Sequence, residues 1–239
     1  MKSVKFLIIT IFLLSELSCI KELVPETVVG DGNVVKKERQ TAAFNGINVS
    51  SGINVFIKQA DAPYVAVEAD ENLHTHIKTE VMNGILNIYS DTEIKKANEK
   101  KVYVNIKEVT YLSVSGAGNL TGEAPVRAGK LKLSASSAGD IQLEVYAGEI
   151  TADLSSSGDI TLSGEADVLT ADLSSAGDLS AYNLSVKEAR VSVSSAGDAD
   201  IFVTEKLTAR ASSAGEINYK GNPKQVDAHS SSAGGIHRK

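Results

Sequence analysis

The sequence contains no tryptophan, and only 5% of its residues are aromatic. A core made without large rings rests on Ala, Val, Ile and Leu; it is narrow and leaves little room for a large ligand cavity. The single cysteine, Cys19, excludes an intrachain disulfide and any multi-cysteine metal centre. Acidic residues outnumber basic ones, 30 against 24, for a formal charge of −6. Affinity for nucleic acid rests on neutralising phosphates, so nucleic acid is not an expected partner. No Gly-x-Ser-x-Gly elbow occurs, so the nucleophile signature of a serine hydrolase is missing. Of four histidines, His74 and His76 form an H-x-H pair that would share one face of a strand. No third ligand accompanies them, and "EADENLHTHIKTE" reads as a surface strand or loop without a metal.

What is present begins with a leader. "MKSVK" supplies two lysines, "FLIITIFLL" nine apolar residues, and "SELSC" a small-residue exit ending at Cys19. This is the anatomy of a secretory signal, too short to span a bilayer as a mature helix. The placement of Cys19 resembles a bacterial lipobox, in which that cysteine is lipidated and becomes the new N-terminus; Glu16 departs from the apolar residue usual three positions earlier. Removing residues 1–18 takes away Lys2, Lys5 and Glu16 and leaves a formal charge of −7. Residues 19–40 mix Pro, Gly and charge without a period, which predicts a tether between anchor and head.

From residue 41 to 239 a single head is expected. Over 41–112 "FNGINVSSGINVFIKQ", "PYVAVEA", "VMNGILNIYS" and "KVYVNIKEVTYLSVSG" alternate apolar and polar residues, as irregular strands do. "DTEIKKANEKK" between them reads as a helical turn or a solvated loop. Over 113–239 the chain repeats. Glycines fall at 118, 139, 158, 177, 197, 215 and 234, spaced by 21, 19, 19, 20, 18 and 19 residues. In register on these glycines, apolar residues occupy every second position on both sides, with Lys, Thr, Asp, Arg, Gln and Asn between them. Period two means strands with one buried face. A rung of about 19 residues cannot bury that face alone, whereas stacked parallel rungs bury a continuous strip. The fold class is therefore all-β, a parallel β-helix with rungs of about 19–20 residues; an all-β sandwich would not repeat its columns.

The repeated corner defines the candidate sites. Serine stands three residues before each glycine, giving the pairs Ser136 and Gly139, Ser155 and Gly158, Ser174 and Gly177, Ser194 and Gly197, Ser212 and Gly215. Stacked hydroxyls that donate upward and accept from below are the expected ladder. A row of nucleophiles is not, because each serine lacks an adjacent base. The glycine is expected to hold a positive φ. After it come Asp140, Asp159, Asp178, Asp198 and Glu216, a stripe whose members repel one another by on the order of 1 kcal/mol per pair. Turn chemistry with nearby amides is the first reading; weak Ca2+ binding and a partner-facing edge are the alternatives. No other cofactor is implied. In an outward column five residues before the glycine, Asp153 and Asp172 fall on adjacent rungs, near the separation of a retaining glycosidase pair. That gives an enzymatic alternative, a polysaccharide-active β-helix, with Arg210 and His229 further along the column.

The run "GNVVKKERQTAAFNGINVSSGINVFIKQ", followed by "YVAVEADENLHTHIKTEV", "SVSGAGNL" and the SSAGD series, resembles the head GIN domain family of auto-transporter adhesins. Gly46-Ile47-Asn48 and Gly52-Ile53-Asn54 supply its namesake letters, and the likeness covers about residues 32–237. The resemblance implies a right-handed parallel β-helix, export, and lipid anchoring in the envelope of a Gram-negative bacterium, at its outer membrane. It implies no catalytic residue. A glycan, matrix or protein partner bound through repeated weak contacts is the expectation, with self-association through the solenoid as another.

Overall fold

Every second residue of the repeats is apolar, and the fold buries them as one strip. In the column six residues before the glycine, Leu133, Ala152, Ala171, Val191 and Ala209 are 0–1% exposed; two after it, Ile141, Ile160, Leu179, Ala199 and Ile217 are equally hidden. Each Leu or Ile so buried contributes about 1.5–3 kcal/mol. Only parallel stacking keeps identical columns in contact, and the computed structural model, which describes residues 27–239, shows that arrangement. The leader, Cys19 and residues 19–26 lie outside the described residues.

The long strands Asp140–Leu154, Asp159–Leu173, Asp178–Val193 and Asp198–Ala211 pair in parallel, rung on rung. Between the first two, Asp140 opposes Asp159 and Leu154 opposes Leu173 without a slip. Where rung lengths differ, register shifts between Ala181 and Ser185 and between Val186 and Glu188 absorb the difference. The bulges sit away from the corners, so the inward columns stay in phase there.

At each corner the chain turns through Ser-x-x-Gly, and the two central residues hold the left-handed backbone: Ser156 and Ser157 at φ 49° and 58°, Ser175 and Ala176 at 53° and 61°. Gly158 N donates to Ser155 O at 3.0 Å across the turn, the pattern of a type I′ turn. The expectation of a positive φ at the motif glycine is thus corrected. Gly139, Gly158 and Gly177 are absent from the left-handed set, and they are needed because rungs approach closely there. A Cβ on Gly139 would stand 2.7 Å from Val114 O; one on Gly158 would meet the Ala135 carbonyl and stand 2.6 Å from Ser136 N.

The strained pair is held by hydrogen bonds running between rungs through the corner. Ala138 N donates to Ser156 O at 3.1 Å and Ala176 N to Ser195 O at 3.1 Å, while Ser155 N donates to Ala135 O at 3.0 Å. The expected serine ladder is corrected in the same terms: Ser115 and Ser194 donate their hydroxyls to the carbonyls of Val49 and Leu173, each at 3.4 Å, rather than to one another. A left-handed non-glycine residue costs about 1–2 kcal/mol, and a glycine costs about 0.5–1 kcal/mol in chain entropy. Ala176→Gly is therefore expected to raise stability by about 0.5–1 kcal/mol, read as a higher urea midpoint. An unchanged midpoint would contradict strain at this corner.

The N-terminal part departs from chain order. Gly46–Val49 lies between Ile85–Ser90 and Tyr111–Val114, parallel to both; Asn54–Gln59 lies between Lys100–Ile106 and Asn119–Gly122. The rung containing the GIN letters is thus sandwiched between segments that follow it in sequence. Those letters have structural reasons. Gly46 fits against Tyr111 and Ile85, where a Cβ would meet atoms at 3.2–3.3 Å; Ile47 and Ile53 are 0% exposed; Asn48 donates to Asn87 Oδ1 at 3.2 Å; Gly52 takes φ 62°.

The end of the stack at Lys100–Ile106 is covered by antiparallel strands. Tyr64–Asp70 pairs with it, and Val34–Glu38 pairs with Tyr64–Asp70. This corrects the expected tether over 19–40: from Thr27 the chain is in the fold, with Thr27–Val29 paired to Glu93–Lys96. The same pairing corrects "DTEIKKANEKK", which contributes that strand rather than a helical turn. Sequence period alone missed these segments because each is short and its partner is distant.

Candidate functional site

One column runs the length of the molecule beside the corners: Lys101, Asn54, Asn119, Asp140, Asp159, Asp178, Asp198, Glu216 and Gly235 oppose one another in turn. Nine members at about 4.8 Å give a stack about 38 Å tall. At its lower end amides replace carboxylates, and Asn119 donates to Asn54 Oδ1 at 2.8 Å. Above, Asp178 Oδ1 accepts Asp198 N at 3.2 Å, the amide contact expected of turn chemistry. Among the described residues no three of His, Cys, Asp or Glu converge to hold a metal ion.

The stripe is electrostatically strained. Partial burial, then the charges of Asp178 and Asp140, push the Asp159 carboxyl above its ordinary range. Partial burial, then Asp178, Glu216 and Asp200, do the same to Asp198. A carboxyl raised on folding binds its proton more tightly in the native state, so its contribution is favourable below the unfolded pKa and is lost as pH rises through the folded one. Neutralising one member should therefore help at neutral pH. Asp159→Asn is expected to raise the melting temperature at pH 7 and to leave it nearly unchanged at about pH 3, below the ordinary carboxylate pKa. Equal effects at both pH values would argue against repulsion as the cause.

Asp153 and Asp172 oppose each other on adjacent strands, as the repeat spacing requires. Asp153 is held by Lys132 at 2.9 Å, and that ion pair raises the Lys132 ammonium above its usual range. Asp172 opposes Ser192 on the next rung, and Arg210 and His229, further along, both engage Asp227 at 2.9 Å. The histidine pair is not on one strand face. His74 lies in a short 3-10 turn, Glu71–Thr75, and is 6% exposed; Arg39 Nη2 contacts its Nδ1 at 3.2 Å and donates to its carbonyl at 2.8 Å. His76 instead meets Asp91 at 3.0 Å. A turn rather than a strand separates the two rings, so no shared face exists.

Two sites escaped the sequence reading. On one face a hollow of about 350 Å³ is lined by Arg127, Tyr146, Glu165, Asp167, Ser185 and Lys187. The Arg127 guanidinium lies over the Tyr146 ring, 4.8 Å from its centre, and Tyr146 donates its hydroxyl to Glu144 at 3.1 Å. Lys187 pairs with Asp167 at 2.6 Å. A ring flanked by guanidinium, ammonium and carboxylate groups presents an apolar platform beside donors and acceptors, the chemistry of a polyhydroxylated ligand site. Strand register, which aligns Arg127 with Tyr146 and Tyr146 with Glu165, was the available signal. The second site is Asp70, 0% exposed among the N-terminal strands.

Fold and surface together define a β-solenoid that presents repeated outward columns over a filled core. A family model described as "Putative auto-transporter adhesin, head GIN domain" matches residues 43–223, and the chain belongs to that family. Similar solved structures include a "putative adhesin" from Bacteroides fragilis, 18% identical over 89% of this chain and 100% of its own, with a TM-score of 0.84. A "putative adhesin" from Parabacteroides distasonis is 26% identical over 90% of this chain and 100% of its own, with a TM-score of 0.73. A "Putative lipid binding protein" from the same species is 24% identical over the same shares, with a TM-score of 0.71. No curated protein matches the sequence.

Proposed function

We propose that the chain is an exported, non-enzymatic binding module, anchored through a lipid on Cys19 at the outer membrane of a Gram-negative bacterium, that presents its solenoid faces to a glycan, matrix or protein partner. The observation that carries this reading is a repeated surface on a family that bears an adhesin description. Contacts repeated along a rod add through avidity even when each is weak. The hollow around Tyr146 is a concave part of that surface in which a ring, a guanidinium, an ammonium and carboxylates lie in reach of one ligand, and an oligosaccharide is the partner it fits best.

A glycan array probed with the chain from Ile20 onward, with and without calcium, tests the reading. Tyr146→Ala is expected to weaken binding at least tenfold, the loss of one ring platform of about 1.4 kcal/mol or more. No glycan bound, or binding indifferent to Tyr146, would move the partner elsewhere. Calcium-dependent binding lost in Asp159→Asn would instead favour the acidic stripe. Release of reducing ends from acidic polysaccharides, abolished by Asp153→Asn with Asp172→Asn, would overturn the non-enzymatic reading. Metabolic labelling with an acyl probe, lost in Cys19→Ala, tests the anchor.

A further inference from the structure

The two ends of the stack differ. One is covered by the antiparallel strands Tyr64–Asp70 and Val34–Glu38, and by Ile77–Met82 beside Ile85–Ser90. At the other, among the described residues, Gln225–Ser230 pairs only with Asp198–Ala211, and Gly235–Arg238 only with Glu216–Lys220. All six residues of Gln225–Ser230 are exposed, and Val226 is 46% exposed where Leu207 directly beneath it is 0%. Ser231 N donates down to Ala211 O at 3.0 Å. Alternation along the strand then turns the N–H and C=O groups of Ser230, Ala228 and Val226 away from the stack, toward whatever lies beyond.

We propose that this edge pairs with the same edge of a second copy, antiparallel about Ala228, in a closed two-fold dimer. The sequence is self-complementary in that register. Ala228 opposes Ala228, Val226 opposes Ser230, and Asp227 of each copy faces His229 of the other. The residues whose backbone groups point outward are the ones that exchange hydrogen bonds. That leaves the Asp227 and His229 pairs as the narrow pairs, about 4.5 Å between Cα atoms, where opposed side chains interact most strongly. Arg210 fixes Asp227 from the rung beneath, and His229 already reaches the same carboxylate within one copy, so carboxylate and imidazole are poised on one face. A slip of one residue would set the outward backbone groups against inward ones, and a slip of two would oppose Asp227 to Asp227 or His229 to His229. Because the other end is covered, association stops at two copies and does not run on into a fibre.

The N-terminal strands lie at the covered end, so the dimer places its two sets of N-terminal strands at opposite ends of a rod about 80 Å long. Resting on the anchored reading proposed above, the joined copies come from apposed membranes, and the protein partner of the module is the module itself.

Sedimentation velocity of the chain from Ile20 onward, which keeps every described residue, is the test. A monomer–dimer equilibrium is expected. Ala228→Pro removes an N–H that points to solvent in the single copy, so it is expected to give monomer with an unchanged melting temperature. His229→Asp opposes two carboxylates twice and is expected to weaken the dimer at least tenfold, while Asp227→His with His229→Asp restores it. A monomer up to about 1 mM, weaker than any useful contact, overturns the proposal, as does a dimer indifferent to Ala228→Pro. Phosphatidylcholine vesicles bearing a nickel-chelating lipid, coated with the chain through an N-terminal histidine tag, are expected to cluster, and not to cluster with Ala228→Pro. Dimers without clustering would overturn the apposed-membrane arrangement alone, and neither result depends on lipidation of Cys19.

Discussion

Gly158→Ala is expected to cost about 3 kcal/mol or more, at the upper end of what overpacking a filled interior does. The added methyl has no free volume, because it would meet the Ala135 carbonyl and stand 2.6 Å from Ser136 N, both main-chain groups of the rung beneath. Relief requires the rungs to part, and that lengthens the bonds from Ser155 N to Ala135 O and from Asp159 N to Gly139 O, each 3.0 Å. The same change at Gly129, where an added methyl meets nothing within 4 Å, is expected to be neutral or to stabilise by up to about 1 kcal/mol through the unfolded chain. Urea unfolding of the two variants side by side checks the claim. Comparable midpoints would show that close approach is not what reserves the corner for glycine.

Asp70→Ala is expected to destabilise by on the order of 3–5 kcal/mol. The buried carboxylate accepts Gly32 N at 2.6 Å, Asn98 N at 2.8 Å and Glu99 N at 3.4 Å, tying together segments that are remote in sequence. Burial pushes its pKa up, but those N–H donors outweigh burial and hold the carboxyl below its ordinary range. A carboxyl lowered on folding adds stability above the unfolded pKa and loses it as pH falls through the folded one. Below about pH 4, the ordinary carboxylate range, the N-terminal strands should therefore loosen in the parent protein, and Asp70→Asn should flatten that acid limb while lowering stability at pH 7. Hydrogen exchange at Gly32 and Asn98 across this range reads the effect locally. Protection that persists in Asp70→Ala would show that the carboxylate does not hold these loops.

These two residues mark the limit of what was legible in the letters. The solenoid, its period and its inward columns follow from spacing, because each copy of a column meets its own kind and the letters repeat. The conformation of the corner did not follow. A glycine in every rung signals a need for glycine, but positive φ and close approach write the same letter, and only the rung beneath tells them apart. Asp70 carries no periodic signal at all: its partners are three main-chain groups in two distant loops. His74 misled for a related reason, since the H-x-H spacing promises one face only if the segment is extended, and a 3-10 turn breaks that relation. The hollow at Tyr146 was hidden because its residues come from several rungs, and only register brings them to one face.

The out-of-order rung bears on how the chain can acquire its shape as it is made. Gly46–Val49 and Asn54–Gln59 emerge early in synthesis, yet their two neighbours end at residues 106 and 122. Until those have appeared, this first rung has unpaired edges on both sides, a period of exposure that vectorial synthesis prolongs. Once it closes, the task changes in kind. Each further 19 residues or so finds a finished template waiting and adds by nearest-neighbour contact, so propagation is quick. The slow, long-range event is confined to the first half of the polypeptide, and substitutions there should retard folding while those in the late rungs chiefly hasten unfolding.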